Sequence, residues 1–170
     1  MNFPIISSLI ILPIVGTIFL FFIKSNEKNT SIKYVALFIS LSNLILSLYL
    51  WYIFDNTNPS FQFVENRQWI LGLINYKVGI DGISILFVIL TTFIVPLCVL
   101  SVNYTIKYRL KDFLIAILIM ESLMIGVFCS LDLVVFYLFF EGGLIPMFLI
   151  IGIWGGSRRV YSAFKFFLYT

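Results

Sequence analysis

The chain has 170 residues, of which 61% are hydrophobic and 11% charged, with a formal net charge of +3. A soluble domain is about half apolar and about a quarter charged, so this composition excludes an ordinary water-soluble globule. The positive charge is placed as a membrane topology requires, as its distribution below shows, and gives no sign of nucleic-acid binding.

A helix needs about 20 apolar residues to cross the hydrocarbon core of a bilayer. The first such block runs from Pro4 to Ile23. No basic segment precedes it and its lysine, Lys24, follows it, so it is a retained helix and not a cleaved signal. The second block runs from Tyr34 to Phe54, and a longer loop from Asp55 to Lys77 follows, in which the alternation Phe61-Gln62-Phe63-Val64 predicts a short strand. The third block runs from about Gly82 to Val102 and opens on Asp81, which is expected to cap it by accepting from the N–H of Ile83 or Ser84. The fourth runs from Phe113 to Leu131 and the fifth from Leu133 to Trp154. They meet at Asp132 as a tight antiparallel hairpin, with Asp132 capping the fifth helix. A sixth block starts near Val160 and reaches Thr170. About ten residues make only ~15 Å of helix, half of the ~30 Å core, so the chain is expected to be a fragment cut within its sixth helix.

The basic residues alternate between loops. Lys24, Lys28 and Lys33 separate blocks one and two, Lys107, Arg109 and Lys111 separate three and four, and Arg158 and Arg159 separate five and six. Only Arg67 and Lys77 lie in the longer loop on the opposite side. The positive-inside rule places the first three loops in the cytoplasm or matrix and the N-terminus outside. The expected fold class is therefore an all-α membrane protein: a multi-pass transmembrane helix bundle with five full spans and a truncated sixth. Residues 1–170 form a single transmembrane domain, with no internal repeat and no separate soluble domain.

Ionisable groups inside the spans carry the functional information, because a charge at a helix centre costs about 2.5–3.5 kcal/mol on insertion scales and usually marks an ion path. Glu141 lies eight residues past Leu133, about 12 Å deep at 1.5 Å per residue. Pro146 cannot donate to the carbonyl of Gly142, which predicts a helix break at Gly142 and Pro146 with a free carbonyl beside the carboxylate. Such a pair holds a water and hence a proton path, and Tyr137, one turn earlier, is placed to hydrogen-bond Glu141. The plainer reading is a protonated glutamate that ties two helices together. Glu121 lies at a similar depth on the adjacent helix, as a relay or a structural hydrogen bond. Lys165 lies six residues past Arg159, flanked by Tyr161 and Tyr169; its long stem also allows it to snorkel to the inner surface. Cys98 and Cys129 lie in apolar blocks without metal-ligand spacing and fill space as small hydrophobes. The run Gly155-Gly156-Ser157-Arg158-Arg159 lacks the Gly-Lys-Ser/Thr of a phosphate loop. No pattern for a metal or a redox cofactor is found.

The runs Gly79-Ile80-Asp81-Gly82-Ile83-Ser84, Phe139-Phe140-Glu141 with Leu144-Ile145-Pro146-Met147, Ile153-Trp154-Gly155-Gly156 and Lys165-Phe166-Phe167-Leu168-Tyr169-Thr170 closely resemble chain M of NADH:quinone oxidoreductase, the mitochondrial chain 4 of respiratory complex I. The Phe61–Glu65 run is similar to the alphaproteobacterial and plant-mitochondrial versions. The resemblance covers essentially the whole chain. It implies the N-terminal part of a fourteen-helix antiporter-like subunit, which moves protons in the membrane arm while electrons pass from NADH to quinone elsewhere. It implies that Glu141 is the central proton-path glutamate of helix five; Lys165 and Glu121 are candidates from their placement in the spans alone. It implies no cofactor in this chain, with NADH, FMN, iron–sulfur clusters and quinone held by other subunits. The implied partners are those other membrane-arm subunits and the lipid bilayer. The implied location is an energy-transducing membrane, with the bacterial cytoplasmic membrane favoured over the mitochondrial inner membrane. The alternatives are a subunit of a multi-subunit cation/proton antiporter, which resembles the same fold, and a non-transporting membrane scaffold.

Overall fold

Each apolar block becomes a helix because hydrocarbon offers no water to a peptide N–H or C=O, and a helix pairs these groups within one segment. The structure, a computed structural model, describes residues 4–23, 30–70, 74–106 and 108–170. The helices are α1 (Ile5–Phe22), α2 (Thr30–Ile53), α3 (Ser84–Thr105), α4 (Leu110–Cys129), α5 (Leu133–Trp154) and the shorter α6 (Arg159–Tyr169), with strands β1 (Gln62–Ile70) and β2 (Ile74–Ile80) between α2 and α3. Helices α1 to α5 each contain a stretch long and apolar enough to cross a membrane.

The helix boundaries shift where a polar residue finds a tertiary partner. Helix α2 starts at Thr30 and not at Tyr34, and its Lys33 ammonium donates to the carbonyl of Leu100 near the end of α3 at 3.2 Å. Helix α4 starts at Leu110 and not at Phe113. Its Lys111 donates to the carbonyls of Phe21 at 2.9 Å and Ile23 at 2.8 Å, where α1 ends with unpaired acceptors. A cation there also faces the negative end of the α1 dipole. Helix α4 stops at Cys129, before Leu131, because the chain turns to meet β2: the Leu131 N–H donates to the Lys77 carbonyl at 2.9 Å, and Ser130 bridges Val78. Asp132 then accepts from the N–H of Val134 at 2.9 Å and Val135 at 3.3 Å and caps α5, as expected.

The loop after α2 departs most from expectation. In place of one short strand it forms a two-stranded antiparallel hairpin. The pairing is irregular between Gln62 and Glu65, where Phe63 takes a left-handed φ of 54°. A bulge of this kind breaks the period of two by which a strand is read from sequence. It also aims Glu65 at α1, whose first turn lacks a side-chain cap of its own. Glu65 accepts from the N–H of Ile6 at 3.0 Å and of Ser7 at 3.3 Å, and from the Ser7 hydroxyl. The Tyr76 hydroxyl lies 3.1 Å from the same serine, and burial raises this phenol above its ordinary pKa. Asp81 accepts from the Ser84 N–H at 2.7 Å while the Ser84 hydroxyl accepts from the Asp81 N–H at 2.9 Å, a reciprocal cap at the start of α3. The backbone and side-chain hydrogen bonds from Ser84 hold the Asp81 carboxyl below its ordinary pKa.

Two buried clusters hold the helices together. One lies toward the hairpin and includes Ile6, Leu9, Leu50, Ile80, Val88 and Ile125. The other lies toward the opposite end and includes Leu20, Ile32, Val99, Leu114 and Leu118. Cys129 is buried and Cys98 half-buried, both as free thiols packed among apolar side chains. Lys33, Arg109, Lys111, Arg158 and Arg159 belong to the end of the bundle away from the hairpin, whereas Arg67 and Lys77 lie on the hairpin itself. Lys24, Lys28 and Lys107 fall outside the described residues.

Cysteines placed at Ser60 and Ser157, both exposed and at opposite ends, test the orientation set by these charges. An impermeant thiol reagent added from outside should label Ser60→Cys and spare Ser157→Cys; the reverse pattern would invert the topology. The hairpin clasp gives a second expectation. Glu65→Ala leaves the first N–H groups of α1 without their acceptor, which costs about 1–3 kcal/mol, and the thermal midpoint of the solubilised protein should fall.

Candidate functional site

Glu141 is built into the middle of α5 by the packing of α5 on α4. Gly126 of α4 lies against the Phe139 ring, so that a Cβ at position 126 would stand 2.5 Å from that ring. Gly142 faces Leu123 of α4, where a Cβ would stand 3.3 Å away. With Phe139 and Gly142 turned toward α4, Glu141 is left on the exposed face of α5. The Tyr137 phenol, one turn earlier, lies near its carboxylate on the same face of α5. Helix α5 stays helical through Gly142 and Pro146, so these two residues do not end the helix. The missing proline N–H removes one donor only, and Pro146 is buried. An apolar groove of ≈ 380 Å³ runs beside Gly142 and Pro146 between α4, α5 and Phe21, with Asp112 at its edge.

Glu121 occupies different surroundings at a similar depth. The paired contacts of Leu123 with Gly142 and Gly126 with Phe139 place the two glutamates within about 5 Å along the helix axes. Glu121 is nonetheless buried, with 1% of its surface exposed, and faces α2, where its Oε1 accepts from Asn43 Nδ2 at 2.8 Å. The two carboxylates therefore share a level and not a site. Lys165 is exposed on α6 with its ammonium 5.8 Å from the centre of the Tyr169 ring; Tyr161 is exposed as well. Phe148 packs edge-on against Phe164 and Phe167, which puts Lys165 near the level of Phe148. Glu141 lies seven residues before Phe148, about 10 Å along the helix, so α6 does not bring Lys165 to it.

The sequence reading missed a buried polar seam. Ser40, Asn43 and Ser47 of α2 are fully buried, together with Thr92 of α3 and Ser122 of α4. The hydroxyls of Ser47 and Thr92 lie 2.7 Å apart, and Ser122 donates to the Ile10 carbonyl of α1 at 2.6 Å. The spacing of Ser40, Asn43 and Ser47 at i, i+3 and i+7 places them on one helical face, and that spacing is the signal from which the seam was legible. Among the described residues, no cluster of three or more His, Cys, Asp or Glu is placed to hold a metal.

The helices, the caps and the carboxylate on the open face of α5 define an all-α, multi-pass membrane protein with acid groups inside its spans. Comparison with known proteins gives the particular family. Residues 130–170 match the family described as NADH:quinone oxidoreductase/Mrp antiporter, transmembrane. Subunit M of NADH-quinone oxidoreductase from Rhodobacter capsulatus is 61% identical over 138 residues, which is 81% of this chain and 27% of that protein. Subunit M from Rickettsia conorii is 44% identical over 176 residues, covering 100% of this chain and 36% of that protein. NADH-ubiquinone oxidoreductase chain 4 of Marchantia polymorpha is 47% identical over 167 residues, covering 97% of this chain and 34% of that protein. A chain in the structure of the membrane-bound sulfane sulfur reductase, an archaeal respiratory membrane complex, shares the fold with a TM-score of 0.73 at 19% identity, over 94% of this chain and 24% of its own length.

Along 81–100% of its length the chain is similar to NADH-quinone oxidoreductase subunit M and NADH-ubiquinone oxidoreductase chain 4, and it is a multi-pass protein of an energy-transducing membrane. It spans about a third or less of the length of the relatives it matches.

The close approach of α4 and α5 sets where Glu141 points. Gly126→Val should push Phe139 away and destabilise the pair by about 1–3 kcal/mol, the usual cost of overpacking. A lower thermal midpoint of the solubilised protein would report it.

Proposed function

We propose that this chain works within the proton-translocating membrane arm of NADH:quinone oxidoreductase, and that Glu141 is its principal proton-path residue. The observation that carries the reading is the placement of Glu141: an acid at mid-span, on the exposed face of α5. A carboxyl group facing lipid is costly, so the reading places a further protein surface against this face, supplied by later helices of the full-length subunit or by neighbouring subunits. A group that gains and loses a proton must sit between burial, which favours its neutral form, and a nearby cation, which favours its charged form. Glu141 is available to such a partner, whereas Glu121 is already enclosed. Lys165 and Glu121 are kept as secondary candidates: Lys165 because it is an exposed cation on the helix packed against α5, Glu121 because it is an acid inside the span. The redox groups, NADH, FMN, iron–sulfur clusters and quinone, are assigned to other subunits, and this chain contributes translocation and no electron-transfer site.

The matched family description also covers antiporters. The 44–61% identity to subunits named for the quinone oxidoreductase favours that complex over a cation/proton antiporter.

The test is substitution of Glu141 in the full-length subunit of the assembled complex. Glu141→Gln keeps the shape and a hydrogen bond but cannot exchange a proton. It should leave the complex assembled and lower proton-coupled quinone reduction by about a hundredfold, at the low side of what loss of a proton-transferring group costs. Glu141→Asp should retain part of the activity, and Glu121→Gln should do less harm than Glu141→Gln. Quinone reductase rate and proton uptake in membrane vesicles, normalised to assembled complex, measure this. Normal pumping by Glu141→Gln would return Glu141 to the scaffold role.

A further inference from the structure

Two buried oxygens in the α2–α4 interface have no hydrogen-bond partner: Glu121 Oε2 and Asn43 Oδ1. They belong to the two side chains joined by the 2.8 Å bond from Asn43 Nδ2 to Glu121 Oε1. Each side chain ends in a planar group with two polar atoms, and one atom of each is already paired with the other residue. Both remaining atoms are acceptors if Glu121 is ionised. Two buried acceptors on a bonded pair of side chains then have no donor, in a place where Asn43 is 0% and Glu121 1% exposed. A buried acceptor left unpaired costs about 1–3 kcal/mol, and more if it is charged. Among the described residues, no cation pairs with Glu121, and its only hydrogen-bond partner is Asn43. The surrounding polar groups offer no relief: Ser47 and Thr92 bond each other, and Ser122 donates to α1.

We propose that Glu121 and Asn43 form a neutral, doubly hydrogen-bonded acid–amide pair, in which Glu121 holds a proton on Oε2 and donates it to Asn43 Oδ1. One proton removes both unpaired acceptors and the unpaired buried charge together. Asn43 thereby becomes the positioning residue for the second membrane acid. It fixes which carboxyl oxygen carries the proton and locks α4 to α2 away from the open face of α5. The pair deepens the reading of Glu121 as a candidate proton group, since it states where that proton resides. It does not depend on Glu141 or on turnover.

The test uses the full-length subunit in its assembled complex and infrared difference spectroscopy between wild type and variants, in H2O and D2O. Glu121→Gln replaces the acid by an amide with a donor and an acceptor in the same places, so the complex should assemble at the wild-type level. The wild-type spectrum should contain a protonated-carboxyl C=O band, deuterium-sensitive, that Glu121→Gln lacks. In Asn43→Leu, or Asn43→Ala where leucine blocks assembly, the same band should move to higher frequency as the bond to its carbonyl is lost. Loss of a carboxylate band in place of an acid band in Glu121→Gln overturns the proposal. So does an acid band that the Asn43 variants leave unmoved, and so does failure of Glu121→Gln to assemble. The readout is a protonation state, so a failure of the Glu141 reading in pumping assays leaves this result intact, and the converse also holds.

Discussion

A bilayer core contains no water to pair with peptide groups or polar side chains, and each such group left alone costs several kcal/mol. Helix interiors meet this demand by themselves, but helix ends do not. In this chain the ends are completed by residues from elsewhere, and those residues set how the helices are joined. Glu65 of the hairpin supplies the acceptor for the first N–H groups of α1, and Lys111 of α4 supplies the donor for the carbonyls at its other end. Helix α1 is thus held at both termini by parts of the chain that follow it by many residues. Leu131 binds the hairpin to the α4–α5 turn, and the Trp154 indole donates to the Tyr108 carbonyl, tying the end of α5 to the start of α4.

The same demand sorts the acids within the spans. Glu121 meets it by burial against Asn43, inside a seam where the other polar groups are paired. Glu141 lies on the exposed face of α5, with the Tyr137 phenol near it on the same helix. Half of the α4 span is buried within the bundle, but only 17% of the α5 span is. The difference lies in the faces and not in the depth, since the two acids are nearly level. An enclosed acid holds its proton state fixed, and an acid at an open face can respond to whatever approaches it. The first property suits a clasp and the second suits a proton path.

Helix count and the caps at Asp81 and Asp132 were legible in the sequence, because membrane thickness imposes a minimum apolar length and a cap is a local interaction. The hairpin was only partly legible. Its polar first strand carries a bulge at Phe63, which conceals the alternation, and its reason for forming is remote: a carboxylate for the start of α1. The depth of Glu141 and its nearness to Tyr137 were legible from the helix length and from i, i+4 spacing. The environment of Glu121 was not, because it depends on Asn43, 78 positions away, and the polar face of Ser40, Asn43 and Ser47 carries no mark of which helix it meets. The expectation of a break at Pro146 overreached, since loss of one donor bends a helix more readily than it ends one.

The arrangement of α6 bears on how Glu141 would work. Phe148 of α5 sits against Phe164 and Phe167, and this aromatic contact fixes the level of α6. Lys165, the membrane cation that follows, is thereby held about 10 Å along the axis from Glu141, with its charge over the Tyr169 ring. At that separation, even in a low-dielectric surrounding, its pull on the carboxylate is a fraction of what a cation in contact would exert. Under the proposed reading the decisive cation therefore comes from a helix packed on the open face of α5, and its approach and retreat set when Glu141 takes up and releases its proton.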